Sequence, residues 1–219
     1  MAGLDLTPAL IEAEYHRLGH RIGWRFLTSP ERTLDTATVA LVTANPSGRV
    51  DDTTNPRWSV ETGNAYLTEG WRGKAVGRNP LQVQVQLLFQ AMGVDIRSAL
   101  SGYFIPFRSP RLTSLTNQRQ SFDFGKKLWS VVFARSPATT VIAFGYPIEQ
   151  EICGILAATE RKDCLAHWGA LTIRSYICRD NRLLFILPHL SQFKLFSRPA
   201  SEAAFRALLR ERRDDVAHG

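Results

Sequence analysis

Apolar and polar residues follow one another along the chain in blocks that predict strands separated by helices. Nearly continuous apolar runs at 37–44 (ATVALVTA) and 139–144 (TTVIAF) are typical of strands buried on both faces of a parallel sheet. Further strands are predicted at about 98–107, at 171–178 and at 183–187, and a short polar turn joins the last two.

Helices are predicted between these strands, and capping residues mark several of their ends. Thr7-Pro8 begins a helix that runs to about Gly19, and Asn79-Pro80 begins another that Gly93 ends. Three more helices are predicted at about 116–134, 147–157 and 201–212. Alternating strands and helices predict an α/β fold, a three-layer α/β/α sandwich around a mainly parallel central sheet.

Composition limits the class of protein. The chain has 219 residues, of which 44% are hydrophobic and 21% charged, so collagenous, coiled-coil, disordered and disulfide-rich classes are excluded. Since no internal repeat or linker interrupts it, we expect residues 1–219 to form a single domain. The N-terminal segment lacks a signal-peptide pattern and no apolar run approaches membrane-spanning length, so we expect a cytoplasmic protein with no membrane partner.

The cysteines and the charge add two further constraints. Cys153, Cys164 and Cys178 are odd in number and lack C-x-x-C spacing, so we expect neither a metal nor an iron–sulfur cluster. Lys and Arg number 27 against 20 Asp and Glu, a net charge of +7 that suits a partner bearing phosphates but does not by itself identify one. Basic residues occur at Arg108, Arg111, Arg119, Lys126 and Lys127, and again at Lys194 and Arg198.

Unusual residues follow three of the predicted strands, and in parallel α/β folds function collects at the carboxyl ends of strands. These residues are Asn45-Pro46-Ser47, Gly145-Tyr146-Pro147 and Pro188-His189-Leu190-Ser191. The chain contains no phosphate loop, dinucleotide fingerprint, H-E-x-x-H or G-x-S-x-G. Nucleoside triphosphatases, standard dehydrogenases, zincins and α/β-hydrolases are therefore not leading candidates.

In the order and spacing of these motifs the chain resembles a divergent member of the uracil-DNA glycosylase superfamily without an iron–sulfur cluster. There a G-x-[DN]-P motif ends the first core strand and an H-P-S-like motif ends the last; the counterparts here are Thr43-Ala44-Asn45-Pro46-Ser47-Gly48 and His189-Leu190-Ser191-Gln192-Phe193. Trp58 lies thirteen residues after Asn45, where the best-known family has the aromatic that stacks on uracil. The family's uracil-reading asparagine has no clear match, and the second core strand offers Ser101, Gly102 and Tyr103 instead.

The resemblance implies a monofunctional glycosylase that excises uracil from DNA by base flipping and water attack, initiating base excision repair without a cofactor. His189 would stabilise the leaving base and Asn45 would orient the water, with Asp51 and Asp52 as candidate bases because a carboxamide is not basic. Substrate-binding positions are Ala44, Pro46, Ser47, Trp58, Ser101, Gly102 and Tyr103, where the small Ser47 replaces a bulky tyrosine and implies looser gating.

The loop that begins at His189 would contact DNA through Ser191, Gln192, Lys194 and Arg198, with Phe193 as the wedge in the duplex. The expected partner is uracil-containing DNA, single- or double-stranded, bound by a monomer that associates with the nucleoid.

Other interpretations stay open. The chain could be a catalytically weak or inactive DNA-binding module of the same fold, because Asn45 is not a carboxylate and the reading asparagine is missing. A hydrolase of this fold acting on a non-DNA substrate is the third option. Asn45-Pro46-Ser47-Gly48 could be an ordinary turn. Trp58 could pack its loop against the core, and Phe193 could be a core residue.

Overall fold

A six-stranded mixed sheet forms the centre of the fold in the computed structural model, which describes residues 5–218. Its strands are β1 (Val39–Thr43), β2 (Leu100–Tyr103), β3 (Thr140–Phe144), β4 (Ala158–Leu165), β5 (Thr172–Cys178) and β6 (Leu183–Leu187). They lie in the order β2-β1-β3-β6-β5-β4. The first four in this order are parallel, whereas β5 and β4 pair antiparallel with their neighbours. The predicted α/β class and mainly parallel sheet are confirmed.

Helices cover both faces of this sheet. They are α1 (Pro8–Arg17), α2 (Thr33–Thr36), α3 (Ala65–Thr68), α4 (Pro80–Met92), α5 (Gln118–Arg135), α6 (Glu149–Leu156) and α7 (Pro199–His218). Apolar residues of α1, α5 and α6 form one core against the sheet, and those of α4 and α7 form the other. Within the described part of the chain, no helix is both long and apolar enough to cross a bilayer.

The central strands are apolar throughout because each faces a core on both sides. Along β1, Ala40 and Val42 point into the core beneath α5, whereas Val39 and Leu41 point into the core beneath α4. Every residue of β1, β3 and β6 is buried. The continuous apolar runs therefore predicted these strands correctly.

Local capping chemistry explains the helix ends that the sequence predicts. The Thr7 hydroxyl accepts a hydrogen bond from the Leu10 amide, and Asn79 forms a capping box with Gln82 at the start of α4. Gly93 ends α4 in the left-handed conformation at φ 70°, which costs glycine little. These are short-range interactions, and the predicted boundaries are accordingly close to the observed ones.

Strand β4 is the main element that the hydrophobic pattern leaves unassigned. Most of its residues are exposed, and its sequence, ATERKDCL, has no apolar run. As an edge strand it is held by hydrogen bonding to β5 and carries ion pairs such as Arg161–Asp163 at 2.6 Å. Charged side chains on an edge strand oppose pairing with other chains, which is why this strand reads as a polar loop in the sequence.

Three predicted boundaries need correction. The strand expected at 98–107 pairs only as β2, because the chain after Tyr103 leaves the sheet as a buried loop. The helix expected at 147–157 consists of a 3₁₀ turn at Tyr146–Ile148 followed by α6. Helix α7 continues to His218, beyond the predicted end at about 212.

The packing of α5 against the loop after β2 yields a test of the fold. A β-carbon at the buried Gly125 would lie 2.6 Å from the Phe104 carbonyl oxygen. We expect Gly125→Ala to lower the free energy of unfolding by about 1–3 kcal/mol, because the helix must move away from this loop.

Gly154→Ala is the matched control, since this exposed glycine in α6 has nothing within 4 Å of the new methyl group. Helix propensity predicts no loss, and a gain of up to about 1 kcal/mol. Urea unfolding of both variants measures the difference, and equal effects would contradict the close helix–loop contact.

Candidate functional site

The carboxyl ends of β1, β3 and β6 bring the two principal sequence motifs to one edge of the sheet. Thr43 on β1 pairs with Phe144 on β3, and Phe144 pairs with Leu187 on β6, so the three strands end level with one another. Asn45 and His189 each lie two residues beyond these ends. Two strand spacings place the starting points of their loops about 10 Å apart, with the end of β3 between them.

His189 is held in one tautomer by Ser191. Its Nδ1 lies 2.8 Å from the Ser191 hydroxyl and 3.3 Å from the Ser191 backbone nitrogen. A backbone N–H only donates, so Nδ1 must accept and the ring proton must lie on Nε2. Burial lowers the pKa of His189 below its ordinary value of 6.5. The side chain is therefore a neutral imidazole, and its Nε2–H has no partner among residues 5–218.

Gly145 lies beside this ring at the end of β3, in a backbone conformation that favours glycine. Its backbone nitrogen donates to the Leu187 carbonyl at 2.9 Å, and it adopts a φ of 90°. A β-carbon at this position would lie 3.8 Å from His189 Cδ2. Gly145 thus forms the surface on which the imidazole rests, and it separates the His189 loop from the Asn45 loop.

Asn45 is oriented through its amide nitrogen. Nδ2 donates to the Ser109 hydroxyl at 2.8 Å and to the carbonyl oxygens of Pro46 and Phe107, each at 3.2 Å. Because carbonyl oxygens only accept, the amide group must face them with its nitrogen, and Oδ1 has no partner within the described chain. A carboxylate could not make these bonds, which explains why this half-buried position suits asparagine.

Asp51 and Asp52, the two candidate bases, are engaged by their own loop. Asp51 Oδ2 lies 2.7 Å from Arg57. Asp52 accepts hydrogen bonds from Thr54 and Asn55 and lies 3.5 Å from Arg108. Burial alone would raise the pKa of Asp52, but these hydrogen bonds lower it overall. Neither carboxylate forms a hydrogen bond with Asn45.

Ala44, Pro46 and Ser47, the other residues of the first motif, form hydrogen bonds mainly through their backbone groups. The Ala44 carbonyl accepts from the Ile105 amide at 2.9 Å, and the carbonyl of the buried Pro46 accepts from the Ser109 amide at 3.1 Å. Ser47 is exposed and lies between two arginines: Arg108 donates to its carbonyl at 2.7 Å, and Arg72 donates to its hydroxyl at 3.1 Å. This rim of the site is therefore suited to an anion.

Of the three predicted positions on β2, Tyr103 is the one that reaches the edge. The Ser101 side chain is fully buried and accepts hydrogen bonds from Thr28 at 2.7 Å and Asn64 at 3.0 Å. Gly102 is buried against the Phe26 backbone. Tyr103 is half-buried, and burial raises its pKa, so its phenol hydroxyl keeps its proton as a donor.

The structure does not bring Trp58 to Asn45. Residues 26–29 lie along the outer side of β2, and residues 57–60 lie beyond them. The Trp58 ring packs 5.5 Å from the Phe26 ring, and its indole N–H donates to Glu31 at 2.8 Å. Its position is the packing alternative that the sequence left open.

Trp71 is the aromatic residue of this long loop that lies near the site. Its ring packs edge-to-face on Tyr66 with centroids 5.2 Å apart, and its neighbour Arg72 contacts Ser47. The indole N–H donates to Glu69 at 2.8 Å, and the same carboxylate forms a buried ion pair with Arg25. Sequence reasoning missed this residue, although an aromatic within Trp71-Arg72-Gly73-Lys74 is a signal for a binding loop.

The loop after β6 is partly exposed and partly packed. Ser191, Gln192, Lys194 and Arg198 are exposed, whereas Phe193 is half-buried. The Phe193 ring packs edge-to-face on Trp168 with centroids 5.9 Å apart, and the Arg198 guanidinium lies 4.4 Å above the Trp168 ring. Trp168 belongs to the turn between β4 and β5, a segment for which the sequence predicts no element.

Basic side chains concentrate at this edge of the sheet. The loops that follow β1, β2 and β6, at 45–57, 69–78, 104–115 and 188–198, carry Arg49, Arg57, Arg72, Lys74, Arg78, Arg108, Arg111, Lys194 and Arg198 against Asp51, Asp52 and the buried Glu69. The segment after β3 carries Glu149 and Glu151 at the same edge. At the opposite edge, basic and acidic residues pair with each other, as in Arg135–Asp35, Arg97–Asp95 and Arg182–Asp180. Lys126, on α5, pairs with Glu151 at 2.9 Å. The surplus of positive charge at this edge therefore lies in the loops that follow β1, β2 and β6, and not in the segment after β3.

The chain matches no model of a known protein family, and no curated protein matches it. Its function must be inferred from the chemistry of this edge together with the motif resemblance.

The buried Arg25–Glu69 pair behind Trp71 provides a test of the site's framework. Glu69→Ala leaves the Arg25 charge buried without a partner, so we expect it to lower the free energy of unfolding by about 3–5 kcal/mol. Removal of the acceptor for the Trp71 indole should also change the Trp fluorescence.

Glu14→Ala is the control, because it breaks a salt bridge to the exposed Arg17. That change should cost less than about 1 kcal/mol. Urea unfolding compares the two, and equal losses would show that the Arg25–Glu69 pair has no special role in holding the loop.

Proposed function

We propose that this protein is a DNA glycosylase with a uracil-DNA glycosylase-like fold, which removes uracil from DNA and so initiates base excision repair. One observation carries the proposal: His189 presents a free Nε2–H and Asn45 a free Oδ1 beyond strand ends that lie level at one basic edge. A neutral hydrogen-bond donor suits a leaving base that gains negative charge. A neutral acceptor suits the orientation of the water that attacks the sugar.

The reaction breaks the bond between C1′ of the deoxyribose and N1 of the base. The bonding electrons leave with the base, the sugar gains oxocarbenium character, and the hydroxyl of a water molecule adds to C1′ while its proton ends on the free base. Negative charge accumulates on the base oxygens during this step. A hydrogen bond from His189 Nε2–H to O2 therefore strengthens in the transition state, and this selectively lowers the barrier.

Asn45 acts on the water rather than on the base. Its Oδ1 accepts a hydrogen bond from the attacking water, and the three acceptors around Nδ2, which share its two N–H groups, hold the amide in that orientation. A carboxamide is not basic enough to take the proton. We therefore expect a slower reaction than an aspartate at the same place would support.

Recognition of the base involves an aromatic platform and a donor. The proposed platform is Trp71 instead of Trp58, because the neighbouring Arg72 contacts Ser47, whereas Trp58 packs on Phe26. Tyr103 supplies a hydroxyl at the end of β2 in place of the missing asparagine. Ser47 leaves space where a bulky side chain would exclude other pyrimidines, so the gating is looser.

The basic rim accounts for the DNA partner. Arg72 and Arg108 lie on one side of the site, and Lys194 and Arg198 lie on the other. Contacts of this kind with phosphates position the strand without reading its sequence. A protein with this activity works where the DNA is, so we expect it in the cytoplasm, associated with the nucleoid when bound, as a monomer.

A DNA-binding module without catalysis is the second candidate, and the carboxylates favour it. Asp51 is paired with Arg57, and Asp52 is hydrogen-bonded within its own loop, so no free base assists Asn45 in the described site. Such a module would retain uracil-containing DNA without releasing the base.

Uracil excision by the wild type and by His189→Ala tests the proposal. Loss of the donor to the developing anion should lower the rate by about 10²–10³. The assay is alkali-labile strand scission of uracil-containing single- and double-stranded oligonucleotides. Binding to the same oligonucleotides is measured in parallel, and both should weaken as salt rises.

His218→Ala is the matched control, since this exposed histidine ends α7 close to Val216, which lies with Thr38 and Thr139 at the opposite edge of the sheet, and its loss should not affect the rate. Oligonucleotides left intact by the wild type at every ionic strength would exclude the enzyme. Retention of those intact oligonucleotides would favour the binding module.

The pH dependence follows from the tautomer of His189. Protonation of Nδ1 would oppose the Ser191 N–H, another donor, and turn the ring away from its working orientation. Because burial lowers the pKa of His189 below its ordinary value, the neutral form predominates across the neutral pH range and extends further towards acid than in an exposed histidine. We expect the excision rate to fall only below that range as the imidazole takes up a proton.

A pH–rate profile together with an NMR titration of the His189 ring checks this expectation. The NMR spectrum should show the proton on Nε2 and a pKa below 6.5. A proton on Nδ1, or a pKa above 6.5, would contradict the assigned role.

A further inference from the structure

The turn at 166–171, which joins β4 and β5, brings an aromatic side chain to the loop that follows β6. Both segments lie at the carboxyl edge of the sheet, because β4 and β6 end on the same side. Trp168 of this turn is half-buried and contacts two residues of the neighbouring loop, Phe193 at its edge and Arg198 over its ring. These three side chains are called the hairpin cluster below.

Stacking on the Trp168 ring orients the Arg198 side chain. Its guanidinium lies 4.4 Å above the Trp168 ring, and within residues 5–218 it forms no ion pair and no side-chain hydrogen bond. A guanidinium stacked on an aromatic ring keeps the N–H groups of its own edge available, in a geometry that matches phosphate oxygens. Lys194, exposed in the same loop, adds a second positive charge.

We propose that the hairpin cluster binds one unpaired nucleotide of the DNA strand, next to the nucleotide held at His189. The base stacks on the half-buried Trp168 ring, on the face opposite Arg198, and meets Phe193 with its edge because the two rings lie at 80° to each other. The phosphate is held by Arg198. This inference rests on the proposed function in that it takes DNA as the partner. It adds a second nucleotide site and a preference for single-stranded DNA.

The preference follows from which base faces are accessible. Within a duplex each base is covered on both faces by its neighbours, whereas an unpaired base can leave the stack and lie on an aromatic ring. Phe193 is already packed against Trp168 and against the core beneath α7, so it is not a projecting side chain ready to enter a duplex. The cluster is therefore better suited to binding an unpaired base of a single strand than to inserting a side chain into a duplex.

The charge at this edge favours nucleic acid over an apolar partner. The two segments that form the cluster, 166–171 and 188–198, carry Lys194 and Arg198 and no carboxylate. At the opposite edge of the sheet basic and acidic residues form ion pairs. Stacking between aromatic side chains and bases combined with a positively charged groove is the usual basis of single-strand binding without sequence preference.

The test uses the full-length protein and oligonucleotides that contain no uracil, so that it does not depend on excision. Binding of a fluorescein-labelled oligo(dT), of a duplex and of an abasic phosphodiester of equal length is followed by fluorescence anisotropy. Trp168→Ala should weaken oligo(dT) binding about tenfold, within the range that base–aromatic stacking provides. Binding of the duplex and of the abasic strand should change less than about twofold, because neither offers a free base.

Two variants guard against an effect of misfolding. Trp168→Phe keeps an aromatic surface and should restore most of the oligo(dT) affinity. Leu165→Ala removes an apolar side chain that is 57% exposed on the same hairpin and should bind like the wild type. Arg198→Ala should weaken binding to all three ligands and reduce the salt dependence by about one phosphate contact.

Unchanged oligo(dT) binding by Trp168→Ala, or equal losses on oligo(dT), duplex and abasic strand, would overturn the hairpin site while leaving the proposed function intact. Conversely, a selective loss of oligo(dT) binding by Trp168→Ala, in a protein that excises no uracil, would contradict the proposed glycosylase activity and support the hairpin site. The two results are thus separable.

Discussion

Hydrogen bonding of β3 to both β1 and β6 in parallel register sets the place where every loop of the site begins. Thr43, Phe144 and Leu187 lie side by side, so the residues that follow them emerge at one edge and at one height. Asn45 and His189 are more than 140 positions apart in the sequence and become neighbours only through this register. The strands can be paired in this way because both of their faces are buried beneath helices.

Within that framework, Asn45 and His189 are each oriented by groups that can only accept or only donate a hydrogen bond. The carbonyl oxygens of Pro46 and Phe107 accept, so the Asn45 amide presents its oxygen outward. The Ser191 amide donates, so His189 keeps its proton on the outward nitrogen. Obligatory hydrogen-bonding groups of the backbone thus determine the chemistry that the site offers.

The distribution of charge follows from the same architecture. Ion pairs join basic and acidic residues at the amino edge of the sheet, whereas several arginines and lysines in loops at the carboxyl edge form no ion pair within residues 5–218. A net charge of +7 is modest for a chain of 219 residues. Because the unpaired basic residues lie in loops at one edge, the electrostatic field of the protein attracts anions towards that edge.

Local sequence determined the elements whose signals are local. The buried strands β1, β3 and β6 have continuous apolar runs, the start of α4 has a capping box, and the residues that follow the strands could be read directly. These features depend on neighbours within a few residues. The α/β class and the positions of Asn45 and His189 at strand ends could therefore be predicted.

Tertiary structure alone decided which side chains meet. Strand β4 is polar and is held by its pairing with β5. Hydrophobic periodicity therefore predicted neither this strand nor the turn that carries Trp168. The path of the long loop after β1 depends on pairing with residues 26–29, which takes the Trp58 indole to Glu31, whereas Arg72, the neighbour of Trp71, contacts Ser47. Contacts of this kind join residues that are distant in the chain, and spacing in the sequence carries no information about them.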